Sequence, residues 1–155
     1  MNPLARLLPP THVAINVDLT SKKRVFEHAG LVFENHQGIA RAKVFDSLFA
    51  RERLGSTGLG KGVAVPHGRI AGLAAPATAL LRLADGVAFD APDGDPVRLF
   101  CFLLVPEKSS SDIHLQIYAT VAEMFSDDDF RERIFSEPSA EGVHRELTAW
   151  QSSMD

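Results

Sequence analysis

The stretch VRLFCFLLV, residues 97–105, contains the longest apolar run of the chain, Leu99 to Val105. A strand with one solvent-exposed face alternates apolar and polar residues, whereas this run is apolar at every position after Arg98. The run is also far shorter than the ~20 residues that cross a bilayer. We therefore predict a central β-strand that is buried on both faces of a sheet.

Further strands are predicted on both sides of this one in the sequence. HVAINVD is β-rich and alternating, which predicts a strand over residues 13–17. GVAVPH predicts a short strand that is ended by Pro66, and ATALLRLAD predicts a strand that precedes the central one. The segment FDAPDGDP between the last two strands is typical of a turn.

Apolar periodicity and capping residues predict helices around these strands. The expected spans run from Thr20 or Ser21 to Gly38, from 40 to 54 with Gly55 as the stop, from a cap at Ser111 or Asp112 onward, from 127 to 136, and from 139 to 150. The acidic run Asp127–Asp129 is interpreted as a helix start rather than a metal site, because carboxylates favour a helix N-terminus. Helices that flank a small mixed sheet predict an α/β three-layer sandwich, in a single domain over 1–155 with its core at about 13–151.

Composition excludes several classes of function. The 155 residues carry a net charge of −4, which argues against a protein that binds the phosphate backbone of nucleic acid. The one cysteine, Cys101, lies in the apolar run and predicts a reducing compartment, for which the cytoplasm is the expectation. No segment predicts insertion into a membrane.

The glycine-rich segment GSTGLGKG, residues 55–62, is close to a phosphate-binding P-loop but fails its tests. Gly62 occupies the place of the Ser or Thr that holds Mg²⁺, and VAVP follows where a helix is required. A dinucleotide fingerprint that starts at Gly58 fails at Val63. The glycines therefore predict a tight connection between a helix and a strand rather than a nucleotide site.

His67 stands between Pro66 and Gly68, where a strand is predicted to have just ended. A stiff backbone on one side and no side chain on the other suit a nucleophile that another molecule must approach. A single histidine without its partners is nevertheless more typical of an ordinary, partly exposed residue, so the residues alone leave both interpretations open. The histidines at positions 12, 28, 36 and 144 are interpreted as surface residues.

Several separate motifs resemble one known family. RERLGSTGLGKGVAVPHG (Arg51 to Gly68), LTSKKRVFEHAG, VAFDAPDGDPVRLFCFLLVPE and HLQIYATVAEMFSD are similar in type, order and spacing to segments of enzyme IIA of the nitrogen-related phosphotransferase system, and more loosely of the fructose and mannitol enzymes IIA. The resemblance runs from about Thr20 to Trp150. It implies the mannitol/fructose-type enzyme IIA fold.

The resemblance also implies a chemistry and a site. Members accept a phosphoryl group from a histidine-containing phosphocarrier protein, similar to HPr, onto Nε2 of the histidine that matches His67. Arg51 and His114 match the positions of the arginine and the second histidine that contact the phosphoryl group. We expect Ser56, Thr57 and the amide of Gly68 to be further phosphoryl-binding donors, and we expect neither a metal nor a cofactor.

The expected output is regulatory. We expect the domain to end near residue 151 without a membrane or carrier extension, and the loop resembles the nitrogen branch more than the mannitol branch. Regulated targets are expected to be proteins such as kinases or ion-transport regulators. The alternatives are a sugar-specific enzyme IIA that passes the phosphoryl group to a separate enzyme IIB, and a binding module that kept the fold without transfer. A docking rim of Leu54, Leu59 and Val65 or their exposed neighbours is expected around His67.

Overall fold

A computed structural model describes residues 2–108 and 111–152. The strands are β1 (Val13–Val17), β2 (Gly58–Gly60), β3 (Val63–Ala64), β4 (His67–Ile70), β5 (Ala77–Val87) and β6 (Val97–Pro106). The helices are α1 (Leu4–Leu7), α2 (Lys22–Gln37), α3 (Arg41–Glu52), α4 (Ser111–Ser126), α5 (Asp128–Ser136) and α6 (Ala140–Ala149), with a 3₁₀ turn over Pro10–His12. The short α1, the 3₁₀ turn and β2 were not predicted from the sequence.

Local capping explains why the helices begin and end where they do. The Ser21 hydroxyl accepts from the Arg24 amide at the start of α2, and Gly38 ends that helix in the left-handed region with φ 68°. Asp127 and Ser139 cap α5 and α6 by accepting from Phe130 and Gly142. The predicted cap at Ser111 depends on a side chain that lies outside what the structure describes.

Six strands form one mixed sheet in the order β1-β5-β6-β3-β2, and β4 also pairs with β6. β6 is central, as predicted: it is antiparallel to β5 and parallel to both β3 and β4. Phe100, Phe102 and Leu104 face a core shared with α2 and α3, whereas Leu99 and Cys101 face a core shared with α4, α5 and α6. The three-layer sandwich is therefore confirmed. No helix in the described ranges is long and apolar enough to cross a membrane.

The predicted strand GVAVPH is corrected by the structure. Pro66 does not end it but divides it into β3 and β4, which run one after the other along the same side of β6. Proline lacks an N–H and removes one ladder bond, yet its carbonyl oxygen still accepts from the Leu103 amide at 2.9 Å. His67 consequently opens a strand instead of following one.

The glycine-rich segment makes a hairpin. β2 pairs antiparallel with β3, and the turn between them holds Lys61 and Gly62 at φ 57° and φ 82°. Left-handed φ values cost little only for glycine, which accounts for the glycine at position 62. The Lys61 amide donates to Asp93 Oδ2 at 2.8 Å, and this bond fixes the turn against the loop that precedes β6.

Candidate active site

His67 anchors one ring nitrogen on the backbone and turns the other toward Arg51. Its Nδ1 lies 2.9 Å from the carbonyl oxygen of Val65. Because a carbonyl oxygen only accepts, Nδ1 carries the proton and donates it. The lone pair of the neutral ring is therefore on Nε2. The His67 ring packs edge-on against the ring of Tyr118, with 5.4 Å between the centroids. This contact helps to hold the plane of the imidazole in place.

Arg51 approaches that lone pair from the last turn of α3. Its Nε donates to His67 Nε2 at 3.1 Å, and its Nη1 donates to the carbonyl oxygen of Gly55 at 2.9 Å. A guanidinium only donates, so this contact requires the same tautomer that the bond to Val65 requires. Two independent hydrogen bonds thus fix a neutral imidazole with Nε2 unprotonated.

Electrostatics favour the neutral ring. Burial lowers the pKa of His67 below its ordinary value of 6.5; the bond to Val65 opposes this shift, and the charge of Arg51 adds to it. Burial also lowers the pKa of His114, with further contributions from Arg69 and His67. Both imidazoles are therefore mainly neutral at pH 7.

A groove of about 700 Å³ opens over these side chains. α3 contributes Arg51, β4 contributes His67 and Gly68, and α4 contributes His114 and Tyr118. The parallel pairing of β4 with β6 sets His67 beside Leu103, which packs against Ile117 of α4. The groove thus brings together residues from three separate elements, namely residue 51 of α3, residues 67 and 68 of β4 and residue 114 of α4.

The loop residues Ser56 and Thr57 are not brought into this groove. Ser56 Oγ donates to the carbonyl oxygen of Phe89 at 3.0 Å and accepts from the Gly58 amide. Thr57 is 2% exposed, and its Oγ1 donates to Glu52 Oε2 at 2.7 Å. Both hydroxyls are thus engaged in holding the loop, so we do not propose them as phosphoryl-binding donors.

Gly68 lines the groove and lies tightly against α3. A Cβ at this position would overlap Ser47 Oγ, which itself donates to the carbonyl oxygen of Arg69 at 2.9 Å. Glycine therefore permits the close approach of β4 to the helix that carries Arg51.

Glu52 is a structural element of the site that the sequence analysis did not identify. Its buried carboxylate accepts from the Thr57 amide, from Thr57 Oγ1 and from Lys22 Nζ at 3.1 Å. These bonds tie the end of α3 to the glycine-rich loop and to α2, directly next to Arg51 in the chain. The sequence offered one local signal for this role, a glutamate at a helix end followed five residues later by a threonine. The bond to Lys22 could not be anticipated in this way, because Lys22 lies thirty residues away in the sequence.

We expect Glu52→Ala to lower the free energy of unfolding by on the order of 3 kcal/mol, because it leaves the buried amide and hydroxyl of Thr57 without their acceptor and leaves Lys22 only its longer contact with the exposed Asp90. Chemical denaturation measures the change. Glu27→Ala is the matched control, since the exposed Arg24–Glu27 pair contributes less than ~1 kcal/mol. Equal losses in the two variants would contradict this role for Glu52.

The expected docking rim is only partly supported. Leu54 is 84% exposed at the edge of the groove, and Leu115 of α4, which was not predicted, is 64% exposed on the opposite side. Val65 is fully buried, and Leu59 packs against the core on the α4–α6 side of the sheet. Val65 packs in the core between the sheet and helices α4–α6, so it is not available to a docking partner.

Of the remaining histidines, His12 was wrongly interpreted as a surface residue. It is 3% exposed, its Nδ1 lies 2.8 Å from the carbonyl oxygen of Thr78, and its ring packs edge-on to Phe33. His28 and His144 are half-buried, and only His36 is fully on the surface among these four.

The acidic run Asp127–Asp129 is a helix start as predicted, since Asp127 caps α5 and Asp128 pairs with Arg131.

Comparison with known proteins identifies the family. The model of the phosphoenolpyruvate-dependent sugar phosphotransferase system, EIIA 2, matches residues 6–149. The nitrogen regulatory protein of Pseudomonas aeruginosa is 42% identical over 143 residues, which is 92% of each chain.

Solved structures agree with this match. The nitrogen regulatory protein IIA-Ntr from Neisseria meningitidis superimposes with a TM-score of 0.88 at 45% identity, over 93% of this chain and 98% of that one. IIA mannitol from Escherichia coli superimposes with a TM-score of 0.75 at 20% identity, over 90% and 98% of the two chains, and supports the fold alone. Because the match spans nearly the whole chain and the curated relative is similar over nine-tenths of its length, the chain belongs to the EIIA type 2 family of the phosphoenolpyruvate-dependent phosphotransferase system.

Proposed function

We propose that the protein is a phosphoryl carrier and regulator of the nitrogen-related phosphotransferase system. It accepts a phosphoryl group from the phosphohistidine of an HPr-like carrier onto His67 Nε2, and its phosphorylation state governs its binding to target proteins such as kinases or ion-transport regulators. The observation that carries the proposal is the unprotonated Nε2 of His67, held by Val65 and Arg51 at the floor of an open groove. The nitrogen regulatory relatives favour this function over sugar transport.

The transfer step follows from the geometry of His67. Its Nε2 lone pair forms the new N–P bond while the P–N bond of the donor breaks, and the electron pair returns to the nitrogen of the donor histidine. Nδ1 keeps its proton on the Val65 carbonyl oxygen, so the phosphorylated ring retains its anchor. No general base is needed, because the nucleophilic nitrogen carries no proton.

Arg51 supplies the positive charge and His114 supplies a neutral hydrogen-bond donor for the transferred group. The guanidinium that now donates to Nε2 is placed to donate to an equatorial phosphoryl oxygen once that lone pair is used. His114 lies in the first turn of α4, where the helix N-terminus also favours an anion. In phosphoryl transfer, such positioned donors account for most of the catalysis.

Incubation with phosphoenolpyruvate, enzyme I and the carrier, followed by intact mass measurement, tests the proposal. We expect one phosphoryl group per chain, lost in acid and retained in alkali as a P–N bond requires. A chain that gains none under these conditions contradicts the proposed function.

The rate of phosphoryl uptake is expected to keep its neutral-pH value as the pH falls below 6.5. Burial lowers the pKa of His67, so the neutral nucleophile persists until the pH falls through that lowered value. Single-turnover rates between pH 5 and pH 8, with an NMR titration of the His67 ring, measure this. An acid limb centred at or above pH 6.5 contradicts the effect of burial.

The regulatory part of the proposal predicts opposite behaviour of two variants. Phosphorylation adds roughly −1.5 to −2 charges to the groove. We therefore expect His67→Asp, which introduces a negative charge, to weaken binding to regulated targets, whereas His67→Ala preserves it. Calorimetric titration of each variant with a captured target measures the difference. Equal affinity of the two variants would place the regulatory surface elsewhere on the protein.

A further inference from the structure

A backbone carbonyl orients the guanidinium of Arg51. Its Nη1 donates to the carbonyl oxygen of Gly55 at 2.9 Å, while its Nε donates to His67 Nε2 at 3.1 Å. The position of the Gly55 carbonyl therefore helps to decide where the guanidinium lies relative to Nε2 of the histidine.

Gly55 itself is held through the chain rather than by packing. Its φ of 151° lies in a region that favours glycine, and a Cβ built on it would meet no atom of the described residues within 4 Å. The Gly55 amide donates to the carbonyl oxygen of Glu52 at 3.1 Å, so Glu52 begins the turn that carries Gly55. The place of the Gly55 carbonyl thus depends on what fixes the two ends of this turn.

Glu52 and Thr57 join those two ends. Glu52 Oε2 accepts from the Thr57 hydroxyl at 2.7 Å and from the Thr57 amide at 3.2 Å. The Glu52 side chain is 4% exposed and Thr57 is 2% exposed, so water competes little for these bonds. This pair of bonds, the Glu52–Thr57 clamp, closes the turn over residues 53–56.

Two other segments hold the clamp from outside. Lys22 Nζ lies 3.1 Å from Glu52 Oε1 and 3.5 Å from Asp90 Oδ2. It also lies 4.4 Å from the centroid of the Phe89 ring, and the Phe89 carbonyl oxygen accepts from Ser56 Oγ at 3.0 Å. The buried charge of Glu52 is therefore paired, and the turn is fixed to the start of α2 and to the loop that precedes β6.

The carboxylate of Glu52 does not itself reach the groove. Glu52 is not among the described residues that line it, whereas Arg51, the residue before it, is. Phosphoryl transfer depends mainly on the placement of donors around the transferred group, and small misplacements of such donors slow a reaction strongly. An effect of Glu52 on the reaction would therefore act through the position of Arg51.

We infer that Glu52 is a positioning residue for phosphoryl transfer: its clamp with Thr57 holds the Gly55 carbonyl where that carbonyl directs the Arg51 guanidinium onto His67 Nε2. This inference rests on the proposed function, since it concerns the same transfer step. It goes beyond the stabilising role of Glu52, because a side chain that only stabilised the fold would leave the transfer rate of the folded protein unchanged.

Glu52→Gln in the full chain tests the inference. A glutamine has one acceptor oxygen, so it cannot accept from both Thr57 and Lys22. Single-turnover kinetics give the transfer rate at saturating phosphorylated HPr-like carrier and the carrier concentration that produces half of this rate. We expect the limiting rate to fall about tenfold because the guanidinium is misplaced. The half-saturating concentration should stay the same, because Glu52 lies outside the groove.

A milder pair of variants keeps the test decisive if Glu52→Gln folds poorly. Thr57→Val replaces the hydroxyl by a methyl group of similar size and should slow transfer about threefold, whereas Thr57→Ser keeps the hydroxyl and should transfer at the wild-type rate. The Nε–H signal of Arg51 in the NMR spectrum reports its bond to His67. We expect this signal to move toward that of a free arginine in the slow variants alone.

Asp127→Ala is the control for stability, because it removes the cap of α5, a helix that does not line the groove in the described part of the chain. It should lower the melting temperature and leave both the transfer rate and the Arg51 signal unchanged. The inference is overturned by a wild-type rate in Glu52→Gln and Thr57→Val, by an equal fall in Asp127→Ala, or by a slow variant whose Arg51 signal has not moved. A wild-type chain that the carrier does not phosphorylate contradicts the proposed function itself, and the Arg51 signal alone then decides whether the clamp positions the guanidinium.

Discussion

Replacement of His67 by alanine is expected to abolish phosphoryl uptake from the carrier, with no phosphoryl group detectable by intact mass under conditions that load the wild-type chain. His67 Nε2 is the nucleophile in the proposed transfer, and an alanine offers no atom that forms the P–N bond. This is the largest effect that we expect from a single substitution.

Two controls accompany this comparison. One shows that the variant remains folded, and the other shows that removal of a histidine elsewhere does not affect phosphoryl uptake. Thermal unfolding of His67→Ala shows whether the loss of the bonds to Val65 and Arg51 disturbs the domain. His36→Ala removes an exposed histidine at the end of α2 and should load fully. If His67→Ala still accepts a full equivalent, the acceptor is another residue and the proposed mechanism is wrong.

The second large effect is expected for Arg51→Ala, which should slow phosphoryl transfer by about 10²-fold, or about 2.7 kcal/mol of transition-state stabilisation. The guanidinium donates to Nε2 before transfer and is placed to donate to the phosphoryl oxygens during it. Rapid-quench kinetics with the phosphorylated carrier measure the rate. His114→Ala is expected to slow transfer as well, since His114 lines the same groove from the first turn of α4.

A second readout separates catalysis by Arg51 from a purely structural role. The charge of Arg51 helps to lower the pKa of His67, so its removal should raise that pKa in an NMR titration. Arg51→Lys should keep most of this electrostatic effect but lose the forked hydrogen-bond geometry, and therefore recover only part of the rate. Arg145→Ala removes an exposed arginine on α6 and should leave the transfer rate unchanged. A normal transfer rate in Arg51→Ala would reduce this arginine to a support for the Gly55 loop.

The regular elements were predictable because their signals are local. The apolar run of β6 identified the central strand, and Ser21, Gly38, Asp127 and Ser139 marked helix ends through bonds to residues three or four positions away. Family resemblance added Arg51, His67 and His114, which the structure places on one groove. The residues alone left the role of His67 open, because Arg51 and His114, which lie beside it in the groove, belong to other elements.

The expectations that the structure corrects concern contacts that folding makes, either between distant segments or across the turn after α3. Pro66 looked like a strand end, but the chain resumes its pairing because β6 supplies the Leu103 amide across the sheet. Thr57 looked like a phosphoryl-binding donor, but the buried Glu52 takes its hydroxyl. His12 looked like a surface residue until the sheet and α2 closed over it.

Sequence by itself thus determined the layers, the central strand, most helix caps and, through resemblance, the family and the histidine that we propose as phosphoryl acceptor. Only the tertiary structure decided the tautomer of that histidine, since Arg51 reaches Nε2 from α3 while the backbone carbonyl of Val65, two residues before His67, holds Nδ1. It also decided which polar side chains of the glycine-rich loop are already engaged. Periodicity and capping act between neighbours in the chain, whereas the bonds from Arg51 to His67 and from Lys22 to Glu52 join residues that only folding brings together.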